Sequence, residues 1–136
     1  MNNSRYVLAS VVAFVYFFAA EFVFHGVILS ETYENLQGIA HLARPEALFM
    51  WFFVAYLVLG FVITYVFVRG YENKGLGEGV RFGLILGILI GVPNTLIRYA
   101  VEPWPGDIVV TFMVGYIIEY LIGGVLIALL YKPKTA

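Results

Sequence analysis

Four long apolar runs decide what this chain can fold into: Tyr6 to Leu29, Ala47 to Val68, Val80 to Val101 and Ile108 to Tyr131. Each is close to the ~20 residues that a helix needs to cross ~30 Å of hydrocarbon. They take up most of the 136 residues, of which 62% are hydrophobic and only 12% charged, too little charge to cover a soluble domain. A porin-like barrel would show shorter segments of strict alternation, and Val54-Ala55-Tyr56-Leu57-Val58-Leu59 does not alternate. The expected fold is an all-α membrane protein: one membrane domain over 1–136, a four-transmembrane-helix bundle with spans at 6–29, 47–68, 80–101 and 108–131.

The first run follows Arg5 and contains Phe18-Ala19-Ala20, which invites a signal-peptide reading. It is too long for one and continues through Phe22, Phe24 and Val27, so it reads as a retained span. The chain has no cysteine, which excludes disulfides, thiolate catalysis and cysteine-ligated zinc or iron-sulfur sites. Six of the eight basic residues, Arg5, Arg69, Lys74, Arg81, Lys132 and Lys134, fall at the N-terminus, the second loop and the tail, leaving Arg44 and Arg98. Positive-inside bias then predicts both termini and the 69–81 loop in the cytoplasm of a bacterial inner membrane. The net charge of −1 is spread over the membrane flanks, so a nucleic-acid partner is excluded. Trp51, Trp104, Tyr6, Tyr71 and Tyr131 stand where interfacial anchors belong. Span two is rich in aromatics and has no charge, which predicts the helix most exposed to lipid or a partner.

Between spans one and two, Ser30 to Glu46 carries Glu31, Glu34, His41, Arg44 and Glu46, and Thr32 to Leu42 fits a short amphipathic surface helix. Gly75-Leu76-Gly77 is a turn, since it lacks the lysine and serine of a phosphate loop. In span three, Gly79, Gly83, Gly87 and Gly91 recur every fourth residue and leave a groove down one helix face, where another backbone can come close. Gly115 and Gly123 flank Glu119 at the same spacing in span four, which predicts that Glu119's face packs on the glycine groove.

Three ionisable residues inside the apolar runs carry the functional question. Glu21 lies roughly 13 Å from the outer end of span one with His25 one turn farther out, and Glu119 lies roughly 18 Å deep in span four. Asn94 and Arg98 repeat the four-residue spacing in span three at matching depth, with Glu102 one turn beyond, and Tyr116 and Tyr120 accompany Glu119. A lone carboxylate at such depth costs several kcal/mol or takes up a proton, so pairing or contact with a water-filled cavity is expected. Arg98 can bridge Glu21, reach Glu119, or snorkel outward to Glu102. Pro93 adds a kink and frees the carbonyl of Leu89 near the level of Glu21.

The first reading of this cluster is a salt-bridge and hydrogen-bond network in a non-enzymatic structural or accessory protein, working as a homo-oligomer or with other membrane subunits. The sharper alternative is a protonatable site coupled to movement of an ion or small solute, using Glu21, His25 and Glu119. A third is a metal or haem site on Glu21 and His25, for which one intramembrane histidine is thin. No nucleophile-elbow or zinc-protease motif supports an enzyme. The stretch from Gly79-Val80-Arg81-Phe82-Gly83 to Gly115-Tyr116 resembles an uncharacterised bacterial family of small four-span integral membrane proteins. That family's first span ends in a Trp-Tyr-x-Pro type motif where this chain has Glu21-Phe22-Val23-Phe24-His25-Gly26. The resemblance implies the four-span fold and carries no activity, cofactor or site residue.

Overall fold

A computed structural model describes residues 2–36 and 48–132, and the regular structure among them is helical throughout. Helix α1, Asn3–Val23, runs into a π-helical turn, Phe24–Ile28, and is followed by the short α2, Ser30–Asn35. Helix α3 spans Phe49–Arg69. Helix α4, Leu76–Leu86, a second π-helical turn, Gly87–Gly91, and α5, Val92–Val101, form one continuous rod, and α6 spans Gly106–Leu130. Four segments, Asn3–Ile28, Phe49–Arg69, Leu76–Val101 and Gly106–Leu130, are long and apolar enough to cross a membrane. The chain is built as an integral membrane protein. His41, Arg44, Glu46, the outer half of the expected Thr32–Leu42 helix and Lys134 lie outside the described residues.

Local chemistry explains where the spans depart from their hydropathy. The side chain of Asn2 accepts from the Arg5 backbone N–H, so α1 begins at Asn3 rather than Tyr6. Gly75, at a φ of 78°, turns the chain into α4, which starts at Leu76 rather than at Val80. The first turn of α4 is tied down by Glu78, which is buried and accepts from the Glu72 backbone N–H at 2.6 Å. Pro105, extended, starts α6 at Gly106. Between the first two spans, the described residues hold a helix at Ser30–Asn35, which starts two residues ahead of the expected Thr32.

The glycine groove is used along its full length, against α6. A Cβ added at Gly79 would come within 2.5 Å of the Gly124 carbonyl oxygen, at Gly87 within 2.7 Å of Ile117 Cα, and at Gly91 within 2.6 Å of Tyr116 Cβ. Gly83 lies equally tight against the backbone of Tyr120 and Leu121. This corrects the expected register. The face of α6 in the groove runs through Tyr116, Ile117, Tyr120 and Gly124, while Gly115 and Gly123 turn to α1 and receive the rings of Phe24 and Phe17. Glu119 goes with them. Successive helical residues are ~100° apart, so a helix docked through Tyr116 and Tyr120 presents position 119 to a different neighbour.

Helix α1 is the hub. Its Ala9, Ala13 and Phe17 are fully buried with Ile127 of α6, and α3 leans on its other side, where Gly60 lets the Phe14 backbone approach. Span two carries a run of exposed apolar side chains, Phe49, Met50, Trp51, Phe52, Phe53 and Val54, at its start. Two of the expected interfacial anchors are core residues instead. Tyr131, 3% exposed, packs at right angles on Tyr71 and accepts from the Asn2 backbone N–H, which brings the N-terminus, the 70–75 turn and the end of α6 to one end of the bundle. Trp104, 7% exposed, closes the opposite end with Leu29, Val109 and Phe112, whereas Trp51 is exposed.

Because the α4–α6 contact is backbone against backbone, Gly83→Val should lower stability by about 1–3 kcal/mol, the cost of overpacking a filled site. Gly77→Ala, where a Cβ meets open space, should leave it unchanged or raise it. Thermal melting in one detergent compares them.

Candidate functional site

The first π-helical turn sits where α1 passes the end of α6. Its wider coil carries His25 and Gly26 into a cavity, and inserted turns of this kind gather at functional positions. Nε2 of His25 lies 3.3 Å from Glu21 Oε1, one turn back along the helix. Its Nδ1 hydrogen-bonds the hydroxyl of Tyr33 on α2, whose ring stacks on the imidazole. A neutral imidazole satisfies both contacts when Nε2–H donates to Glu21 and Tyr33 O–H donates to Nδ1. Burial, reinforced by Glu21 and opposed by Arg98, pushes the Tyr33 hydroxyl up to about 12, so it stays a donor at any physiological pH.

Glu21 is the junction of the site. On its inner side the carboxyl of Glu119 comes within hydrogen-bonding reach, and the Tyr56 hydroxyl of α3 interacts with it from another direction. Glu119 is 7% exposed, and the Tyr16 hydroxyl donates to its backbone carbonyl at 3.0 Å, fixing α1 and α6 in register at that level. An acid-to-phenol chain therefore runs Glu119, Glu21, His25, Tyr33 from the interior towards the end of the bundle.

Two cavities meet at Glu21. The larger, about 440 Å³, is lined by Glu21, His25, Tyr33, Tyr56, Arg98 and Tyr116 together with Phe18, Phe22, Gly26, Phe49 and Phe52. The smaller, about 240 Å³, shares Glu21, Tyr56 and Tyr116 and adds Ile90, Gly91, Asn94 and Tyr120. The sequence-predicted residues are thus gathered, but they are not uniformly buried. Glu119 is buried, while Glu21, His25, Arg98 and Tyr116 are half-buried and Asn94 is exposed at the smaller cavity. The irregular point expected at Pro93 is the second π-helical turn, Gly87–Gly91, which ends just before it and lends Ile90 and Gly91 to that cavity.

Arg98 bridges neither membrane carboxyl. It pairs with Glu102 at 3.0 Å and lies 5.1 Å over the Trp104 ring, and the Trp104 indole N–H donates to the same carboxylate. Those hydrogen bonds hold the Glu102 carboxyl below the usual carboxylate range. Trp104 in turn packs edge-on against Tyr33, so the pair buttresses the outer side of the chain of acids and phenols. Reasoning from sequence missed Tyr33, Tyr56 and the phenylalanine wall. Tyr56 left one signal, a polar-tipped residue in the middle of a span without charge.

Among the described residues, no three His, Asp or Glu side chains come together as a metal would require. No protein family matches the chain, and neither a curated protein nor a solved structure is similar to it.

Since Arg98 and Trp104 favour the ionised Glu102, the folded state takes up that proton less readily than the unfolded chain. The stabilisation is present above the ordinary carboxylate range and is lost as pH falls through the lowered value. Melting curves in detergent from neutral to acid pH should show an acid-side drop that shrinks in Glu102→Gln, which has no proton to gain.

Proposed function

We propose that this protein is a non-enzymatic membrane protein whose carboxyl pair, Glu21 and Glu119, exchanges a proton for a small solute held in the adjoining cavities. The observation that carries this reading is the juxtaposition of Glu119 with a carboxyl from another span, Glu21, at which both cavities meet. Two carboxylates facing each other away from bulk water repel too strongly to be ionised together, so the pair holds a proton in common. A network built only to join helices has a cheaper solution in one carboxyl and one donor amide, and it has no need of an adjoining cavity. That argument favours the solute reading over the structural or accessory one.

The chain from Glu21 through His25 to Tyr33 supplies a route for the proton. A proton leaving the pair passes to Nε2 in the ring's other neutral tautomer, in which Nδ1–H donates to the Tyr33 hydroxyl at the bundle end. In the orientation that positive-inside bias favours, the end formed by Asn2, Tyr71 and Tyr131 is cytoplasmic and His25 opens to the outside. Replacing Glu119 removes the shared proton but leaves the cavity walls in place.

Infrared spectra of the protein in lipid nanodiscs at neutral pH should show the C=O stretch of a protonated carboxylic acid that disappears in both Glu119→Gln and Glu21→Gln. The melting temperature of Glu119→Gln should stay at or above that of the wild type. An unchanged acid band with a melting temperature several degrees lower would assign the pair to scaffolding instead.

A further inference from the structure

The proton-exchange reading does not use the chemistry of the cavity walls. Phe18 and Phe22 of α1 face Phe49 and Phe52 of α3 across the larger cavity, and Glu21 forms its acidic floor. Phe22, Phe49 and Phe52 are 59%, 63% and 46% exposed, so the aromatic wall continues onto the helix surface that meets lipid. The charge balance is one-sided. Among the described residues, Arg98 is the one guanidinium on the cavity and is already held by Glu102 and Trp104, and the carboxyls of Glu21 and Glu119 have no arginine or lysine partner.

Resting on the reading of Glu21 and Glu119 as a proton-bearing pair, we infer that the solute is a lipophilic organic cation, a single positive charge carrying bulky apolar or aromatic groups. Its charge takes the place of the shared proton, and its substituents fill the phenylalanine-walled cavity. Aromatic faces attract cations through their quadrupole, and more strongly in a desolvated site. A cavity of about 440 Å³ is in the range that encloses molecules of drug size. An anion of the same shape meets two carboxyls and an arginine already occupied. The exchange balances: one cation enters and one proton leaves.

Every titratable group around the pair bears on the pH dependence. Glu21 is faced by His25 from its own span, Tyr33 from α2, Tyr56 from α3, and Glu119, Tyr116 and Tyr120 from α6. Arg98 acts from α5 and Tyr16 stands beside Glu119. The phenols present neutral hydroxyls and ring faces. The shared proton and the cation compete for the same carboxyls, so binding weakens as pH falls.

The test is binding of radiolabelled tetraphenylphosphonium to the full chain in nanodiscs by equilibrium dialysis, with proton release followed in weakly buffered solution. Where the free pair carries its shared proton, binding should release one proton and tighten by about tenfold per pH unit, because linkage is reciprocal. Glu21→Gln and Glu119→Gln should each lose at least about tenfold in affinity, while Glu21→Asp retains binding. Phe52→Leu, at an exposed wall position where folding is not at stake, should weaken binding by about fivefold. Tetraphenylborate, alike in shape but negative, should not compete. Competition by tetraphenylborate, binding that ignores pH, or affinity unaltered in Phe52→Leu and Glu21→Gln would each overturn the inference. Absent binding with the infrared acid band intact rejects the cation and leaves the proton-bearing pair standing; absent binding without that band removes both.

Discussion

Helices in lipid are not driven together by expulsion of water, so the bundle depends on how closely two backbones can approach. Here that approach is the groove of Gly79, Gly83, Gly87 and Gly91 against α6, where one helix face has no side chains over about three and a half turns and dispersion acts between main chains. The groove also sets the rotation of α6. With Tyr116 and Tyr120 seated on Gly91 and Gly83, Glu119 has to face α1, and the carboxyl of Glu21 is what it meets. The polar site is a consequence of the apolar contact.

Regular α-helix would have filled the space that the site occupies. Both membrane-buried irregularities are π-helical turns, Phe24–Ile28 and Gly87–Gly91, and each lends residues to a cavity. In hydrocarbon every backbone group needs a partner, and a π-helical turn widens the helix while keeping its hydrogen bonds internal. It is therefore an inexpensive way to open a polar cavity in a membrane. The second turn also leads into Pro93, whose missing N–H would otherwise leave a carbonyl of the preceding turn without a donor.

The ion pairs divide by place. Arg98 and Glu102 satisfy each other at the bundle end, with Trp104 as a second donor and a ring face for the guanidinium. That self-sufficiency leaves the interior carboxyls with each other, with His25 and with phenols. A tyrosine-rich surround suits this: Tyr16, Tyr33, Tyr56 and Tyr116 offer hydroxyls without bringing fixed charge into lipid.

Hydropathy and spacing along the chain determined the four spans, the glycine groove, the places of Glu21, His25, Asn94, Arg98 and Glu119 along their spans, and the shared face of Glu21 with His25. These are properties of one helix at a time, set by 1.5 Å rise and 3.6 residues per turn. Tertiary structure decided the rest, since it depends on the rotation of one helix against another. It sent Gly115, Glu119 and Gly123 to α1 rather than to the groove, gave Arg98 to Glu102, and drew Trp104 and Tyr131 from the interface into the core. It also brought Tyr56 and the phenylalanines of α3 to the cavity. A few tens of degrees of rotation separate these outcomes, and no pattern within a single span encodes the angle at which its neighbour will lie.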